Sequence, residues 1–191
     1  MISKIQHTVL FLSLFSCFLG CSTQKVSQSN TLPNIIIVFI DDMGWADVGF
    51  NGGTHVKTPR LDQMAKEGLV LTDFYVAQPV CSASRSALLT GCYPNRIGIS
   101  GALGPHAKHG INADEITIAE ICKERGYATA IFGKWHLGYF RKYNPTHQGF
   151  DKFVGYVSGN IDFRSHVDGA GVFDWWHDLQ LSNEEGYSTH L

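Results

Sequence analysis

Asn34-Ile35-Ile36-Ile37-Val38-Phe39-Ile40 runs without interruption into Asp41-Asp42-Met43-Gly44, and this junction decides the fold class. A continuous run of β-branched and apolar residues, ended abruptly by charge, predicts a strand buried on both faces in a parallel sheet. The two acids then lie at its carboxyl end, the edge where open α/β sheets bind ligands. Tyr127-Ala128-Thr129-Ala130-Ile131-Phe132 has the same character and delivers Gly133-Lys134-Trp135-His136 to that edge.

Between these runs the signals alternate. Thr58-Pro59, then Leu61, Met64, Ala65 and Leu69, with Gly68 near the end, predict an N-capped amphipathic helix with proline at its first position. Leu69 to Ala77 reads as a strand, Ser84 to Leu89 as a short helix stopped by Gly91 and Pro94, and Gly98 to Gly110 as a loop. Ile116 to Arg125 is a further helix closed by Gly126, and from Leu137 onward glycines and aromatics predict long loops over the sheet edge. Strand and helix in alternation give an α/β fold with a mainly parallel central sheet flanked by helices.

Composition agrees with a globular chain. The 191 residues are 44% hydrophobic and 17% charged, enough for one ordinary core. A net charge of -2 provides no basic field to gather nucleic acid, which is excluded as a partner. Lys4 precedes an apolar run from Thr8 to Leu19 that ends at Gly20-Cys21-Ser22-Thr23, the pattern of a secretory signal. The run is shorter than the roughly 20 residues a membrane-spanning helix needs. Small residues before Cys21 also fit a lipoprotein signal, with Cys21 lipidated and Cys17 the weaker alternative. Plain secretion and a lipid anchor both stay open, so the chain is expected in a bacterial periplasm, on the cell surface or outside the cell. The expected organisation is a signal over residues 1–21, a flexible Ser-rich tether over 22–33 and a catalytic region over 34–191. Cys81, Cys92 and Cys122 remain beyond the signal, an odd number for an oxidising compartment, with no pairing fixed.

Cys81-Ser82-Ala83-Ser84-Arg85 carries the chemistry. A cysteine at the mouth of a helix, with an arginine one turn on, reads either as an activated thiolate or as a buried thiol. The wider stretch Gln78 to Gly91 resembles the signature of the sulfatase family, in which Cys-x-Pro/Ala-x-Arg precedes Leu-Thr-Gly. The run from Asn34 to Gly44, the stretch Thr58-Pro59-Arg60-Leu61-Asp62 and the block Gly133-Lys134-Trp135-His136-Leu137-Gly138 are similar to three further motifs of the arylsulfatase-like branch, in the same order.

The resemblance implies an alkaline-phosphatase-like fold and a sulfuric ester hydrolase acting on aryl or carbohydrate sulfates. Cys81 would be oxidised to formylglycine by a formylglycine-generating or sulfatase-maturating enzyme, and the hydrated aldehyde would attack the sulfate ester. Arg85 would hold that hydrate, Lys134 would contact sulfate, and His136 would assist the nucleophile or its breakdown. A calcium ion would be held by Asp41, Asp42 and the residue made from Cys81. Charge that builds on sulfuryl oxygens calls for such cations, and paired carboxylates are hard donors that suit calcium. Ser158 and His166 fall where related enzymes place part of the substrate pocket.

Family members carry a second calcium pair and further His and Lys residues in a later half that this sequence does not contain, so the expectation is an N-terminal portion of the catalytic domain. Two other readings are set beside it: a phosphoester or phosphonate hydrolase of the same superfamily, and an inactive surface lipoprotein that binds sulfated glycans.

Overall fold

Residues 32–191 are described by the computed structural model, so the signal and Cys21 lie outside the described residues. The chain divides into two units between Ile40 and Asp41. In the first, residues 34–40 form no strand, and the run is exposed, with Ile36 at 85% and Val38 at 76%. This corrects the expected first strand. Apolar β-formers supply a preference for extended backbone, but a strand exists only where a neighbour completes its ladder.

In the second unit, the Thr58-Pro59 signal gives helix α1, Pro59–Glu67. Thr58 Oγ1 accepts from the Gly49 amide at 2.8 Å and donates to Asp62 at 3.0 Å, which ties the helix start to the turn before it. Residues 69–77 are irregular and largely exposed, Leu69 to 85% and Tyr75 to 80%, so the second expected strand is absent for the same reason as the first. Helix α2, Cys81–Thr90, begins three residues earlier than expected and takes in the cysteine as its first residue. Helix α3, Ile118–Glu124, starts at a capping box: the Glu120 amide donates to Thr117 Oγ1, and the Thr117 amide donates to Glu120 Oε2.

The sheet has four strands in the order β1-β2-β3-β4: Ala130–Lys134, Lys152–Tyr156, Trp176–His177 and Gln180–Leu181. Strands β1 and β2 are parallel, and the two later pairings are antiparallel, so the described sheet is mixed. Three of its strands lie where the sequence predicts loops. Gly133 faces Gly155 in the β1/β2 register, and a Cβ on Gly155 would stand 2.0 Å from the Gly133 carbonyl oxygen. Only glycine allows that approach at a φ of +151°.

Behind the sheet edge lies a core of Ile99, Ile111, Trp135, Leu137, Phe150 and Phe153. Trp135 meets Phe150 edge-on at 6.3 Å, and its indole N–H donates to the Tyr143 carbonyl. Each large side chain fully removed from water there contributes about 1.5–3 kcal/mol. The Ile111 amide donates to the Leu137 carbonyl at 2.8 Å, fastening the Gly98 to Gly110 loop beside the end of β1. Among the described residues no helix is long and apolar enough to cross a membrane.

Candidate active site

β1 ends at Lys134, whose ammonium donates to Asp41 Oδ2 at 2.7 Å. Arg85, one turn into α2, reaches the same carboxylate at 3.6 Å and donates through Nη1 to the Lys134 carbonyl at 2.7 Å. Two nearly buried cations, with side chains 8% and 11% exposed, therefore share one carboxylate that is 38% exposed. Burial opposes ionisation of Asp41, but the hydrogen bond and charge of Lys134, with the charge of Arg85, outweigh it and hold the carboxyl below its ordinary range. The balance of the three side chains is one positive charge, suited to an anion.

His136 follows the strand in left-handed backbone, φ 56°, which turns the ring into the interior. Its Nε2 lies 2.7 Å from the Leu103 carbonyl, which can only accept, so the proton sits on Nε2. Nδ1 is buried and, among the described residues, has no hydrogen-bond partner. Burial lowers the imidazole pKa; the Leu103 hydrogen bond opposes this, and the Lys134 and Arg85 charges reinforce it. Gly159 gives the ring room, for a Cβ there would stand 2.6 Å from the ring carbon.

Cys81 opens α2 on the same side as Arg85 and is partly exposed. A helix N-terminus favours negative charge at its first residue. Cys81, Cys92 and Cys122 are all free thiols. Tyr156, the register partner of Lys134, senses Arg85, Asp41, Asp174 and Cys81 together, and its hydroxyl pKa is raised, chiefly by burial. Sequence reading missed it. Its signal is the short run Lys152-Phe153-Val154-Gly155-Tyr156, which lacks periodicity and so predicts loop.

The other candidates stand differently. Asp42 is exposed, with φ 55°. Ser158 is buried: its amide donates to Asp174 at 2.7 Å and its hydroxyl to the Asn160 carbonyl at 2.9 Å, so it shapes the turn that carries Gly159. His166 stacks on Trp175 at 4.8 Å. Among the described residues no group of three or more His, Cys, Asp or Glu side chains is placed to hold a metal. Asp41 and Asp42 fit calcium in donor type, but two carboxylates are few for an ion that takes 6–8 oxygens.

Known proteins similar to this chain point to one family. The family described as Sulfatase matches residues 33–188. Human (Homo sapiens) arylsulfatase A is 47% identical over 126 residues, which are 64% of this chain and 25% of that protein. N-acetylgalactosamine-6-sulfatase of Sus scrofa is 43% identical over 155 residues, 75% of this chain and 30% of that protein. The chain thus spans less than a third of the length of these relatives. The crystal structure of Ps i-CgsB superposes with a TM-score of 0.72 at 33% identity, covering 78% of this chain and 37% of that one. A family match over nearly all the described residues leads to one conclusion: the chain belongs to the sulfatase family.

Proposed function

We propose that this chain is the nucleophile-bearing N-terminal portion of an exported sulfuric ester hydrolase, acting on aryl or carbohydrate sulfates. The observation that carries the reading is the convergence of Lys134 and Arg85 on one carboxylate, beside the helix that Cys81 opens. Cations so held can exchange a carboxylate for a sulfate ester, because both are small anions with paired oxygens. That Ps i-CgsB was solved in complex with k-i-k-neocarrahexaose supports keeping carbohydrate sulfates in the substrate class.

In this reading a maturating enzyme converts Cys81 to formylglycine, whose hydrate supplies the nucleophilic oxygen. Arg85 orients that oxygen, Lys134 binds a sulfuryl oxygen, and His136 takes or returns a proton at Nδ1. Tyr156 keeps its proton and so can donate to an oxygen on the substrate side. Calcium, when bound by Asp41, Asp42 and the oxidised residue 81, supplies a Lewis acid for the sulfate; its remaining ligands must come from other residues. Residues 1–21 are the export signal, with lipidation of Cys21 as the anchored variant, and 22–33 the tether.

Two measurements test the reading. Peptide mass spectrometry after coexpression with a formylglycine-generating enzyme is expected to show residue 81 as the aldehyde. A protein carrying this sequence at its natural length is expected to turn over a chromogenic aryl sulfate faster than the matching aryl phosphate, with loss of activity on calcium chelation. Unmodified Cys81 after coexpression, or preference for phosphate, sinks the proposal.

A further inference from the structure

Ser82 follows Cys81, is fully buried, and is spent on none of the chemistry above. Its Oγ accepts the Leu103 amide proton at 3.0 Å. On the other side of that residue, the Leu103 carbonyl accepts from His136 Nε2 at 2.7 Å and from the Tyr139 hydroxyl at 3.3 Å. Leu103 is itself 5% exposed, so water does not compete for these groups. One residue's amide and carbonyl thus bridge the first turn of α2 to His136, across the loop between them.

The bridge determines more than position. A backbone carbonyl has no proton to give, so as long as it faces the ring, Nε2 carries the hydrogen and Nδ1 keeps the lone pair. Its aim depends on the backbone dihedrals of Leu103, whose amide, in the preceding peptide unit, is held by the Ser82 hydroxyl. Tyr139 lies edge-on to His136 at 6.3 Å and the Gly159 backbone packs close against the ring, leaving it little freedom to flip.

We propose that Ser82 is a positioning residue that, through Leu103, locks His136 in the Nε2-protonated tautomer and registers it against residue 81. The functional consequence rests on the proposed role of His136 in sulfate-ester cleavage; the tautomer itself does not. In this role the residue after the nucleophile does for His136 what a paired carboxylate does for a catalytic histidine elsewhere: it sets which nitrogen is the base.

The test is nitrogen-15 imidazole spectroscopy on the unmodified chain at neutral pH, together with amide exchange. Wild type is expected to show His136 as one neutral tautomer protonated at Nε2, and a Leu103 amide exchanging about 100-fold more slowly than that of exposed Gly104. Ser82→Ala is expected to mix the tautomers and speed Leu103 exchange by about tenfold, while Phe153 in the core stays protected. Ser82→Thr, which keeps the hydroxyl, restores both. Nδ1 protonation in wild type, or an unprotected Leu103 amide, overturns the proposal, as does a Ser82→Ala spectrum identical to wild type. Should Ser82→Ala fail to fold, the two wild-type measurements decide. In an active form, Ser82→Ala is expected to lower kcat about tenfold with KM within about twofold, a fraction of what general acid–base catalysis contributes. Absence of turnover in wild type refutes the sulfatase reading and leaves the tautomer result standing.

Discussion

Asp41 pairs with two nearly buried cations, Lys134 and Arg85. Asp41→Asn keeps the shape and removes the charge, so Lys134 and Arg85 lose their counter-ion while still mostly buried. Stability is expected to fall by about 1–2 kcal/mol, below the range for fully buried pairs because the carboxylate is partly solvated. The urea midpoint measures this; no change would mean the triad is loosely held. His136 gives a pH dependence of known sign. Its folded pKa lies below the ordinary 6.5, so the unfolded chain binds the proton more readily. Its stabilising contribution is therefore complete above pH 6.5 and declines as the pH falls toward the folded value. His136→Asn should flatten the loss of stability between about pH 7 and 5, with Lys134, Arg85 and Asp41 the charges around the ring. An unchanged slope would refute this. These residues stood out in the sequence because each sits in a contiguous block of unusual chemistry. Leu103 and Tyr156 did not, since one acts through its backbone and the other through a strand pairing made at a distance.

The helices were legible and, apart from β1, the strands were not, for one physical reason. Helix signals are local: Thr58-Pro59 and the Thr117/Glu120 box lie within one turn of what they start. Strand signals promise a ladder whose other half lies elsewhere, and the runs 34–40 and 69–77 have strand composition without one. Strand β2 has its ladder but hides it, because Gly155 interrupts the apolar run for the sake of contact with β1. Gly155→Ala tests that account. The added carbon meets the Gly133 carbonyl, and the φ of +151° suits no other residue, so β1 and β2 must separate. The expected cost is about 2–3 kcal/mol, read by denaturant unfolding, together with loss of amide protection at Trp135, which donates to the Tyr156 carbonyl across this pair. Retained protection at Trp135 would show that the glycine is dispensable.

At the scale of the whole chain, α/β character followed from alternating signals, and membership of the sulfatase family from four ordered motifs. How apolar surface would be distributed did not follow, because burial depends on partners that composition cannot name. In the unit from Asp41 onward, Leu71, Phe74 and Tyr75 are 60%, 68% and 80% exposed, while Leu137 is fully buried. Clustered exposed apolar groups bind hydrophobic dyes and promote self-association, whereas buried ones carry stability. Replacing Leu71 and Phe74 together by serine should therefore leave the unfolding free energy within about 0.5 kcal/mol of wild type. The same pair should reduce dye fluorescence and raise the monomer fraction in sedimentation. Leu137→Ala should do the reverse, costing about 2–5 kcal/mol and raising dye binding as the core loosens. If the serine pair destabilises the chain as much as Leu137→Ala, the segment from Leu69 to Val76 is packed in solution, and the exposed surface is covered by a partner or by a second copy of the chain.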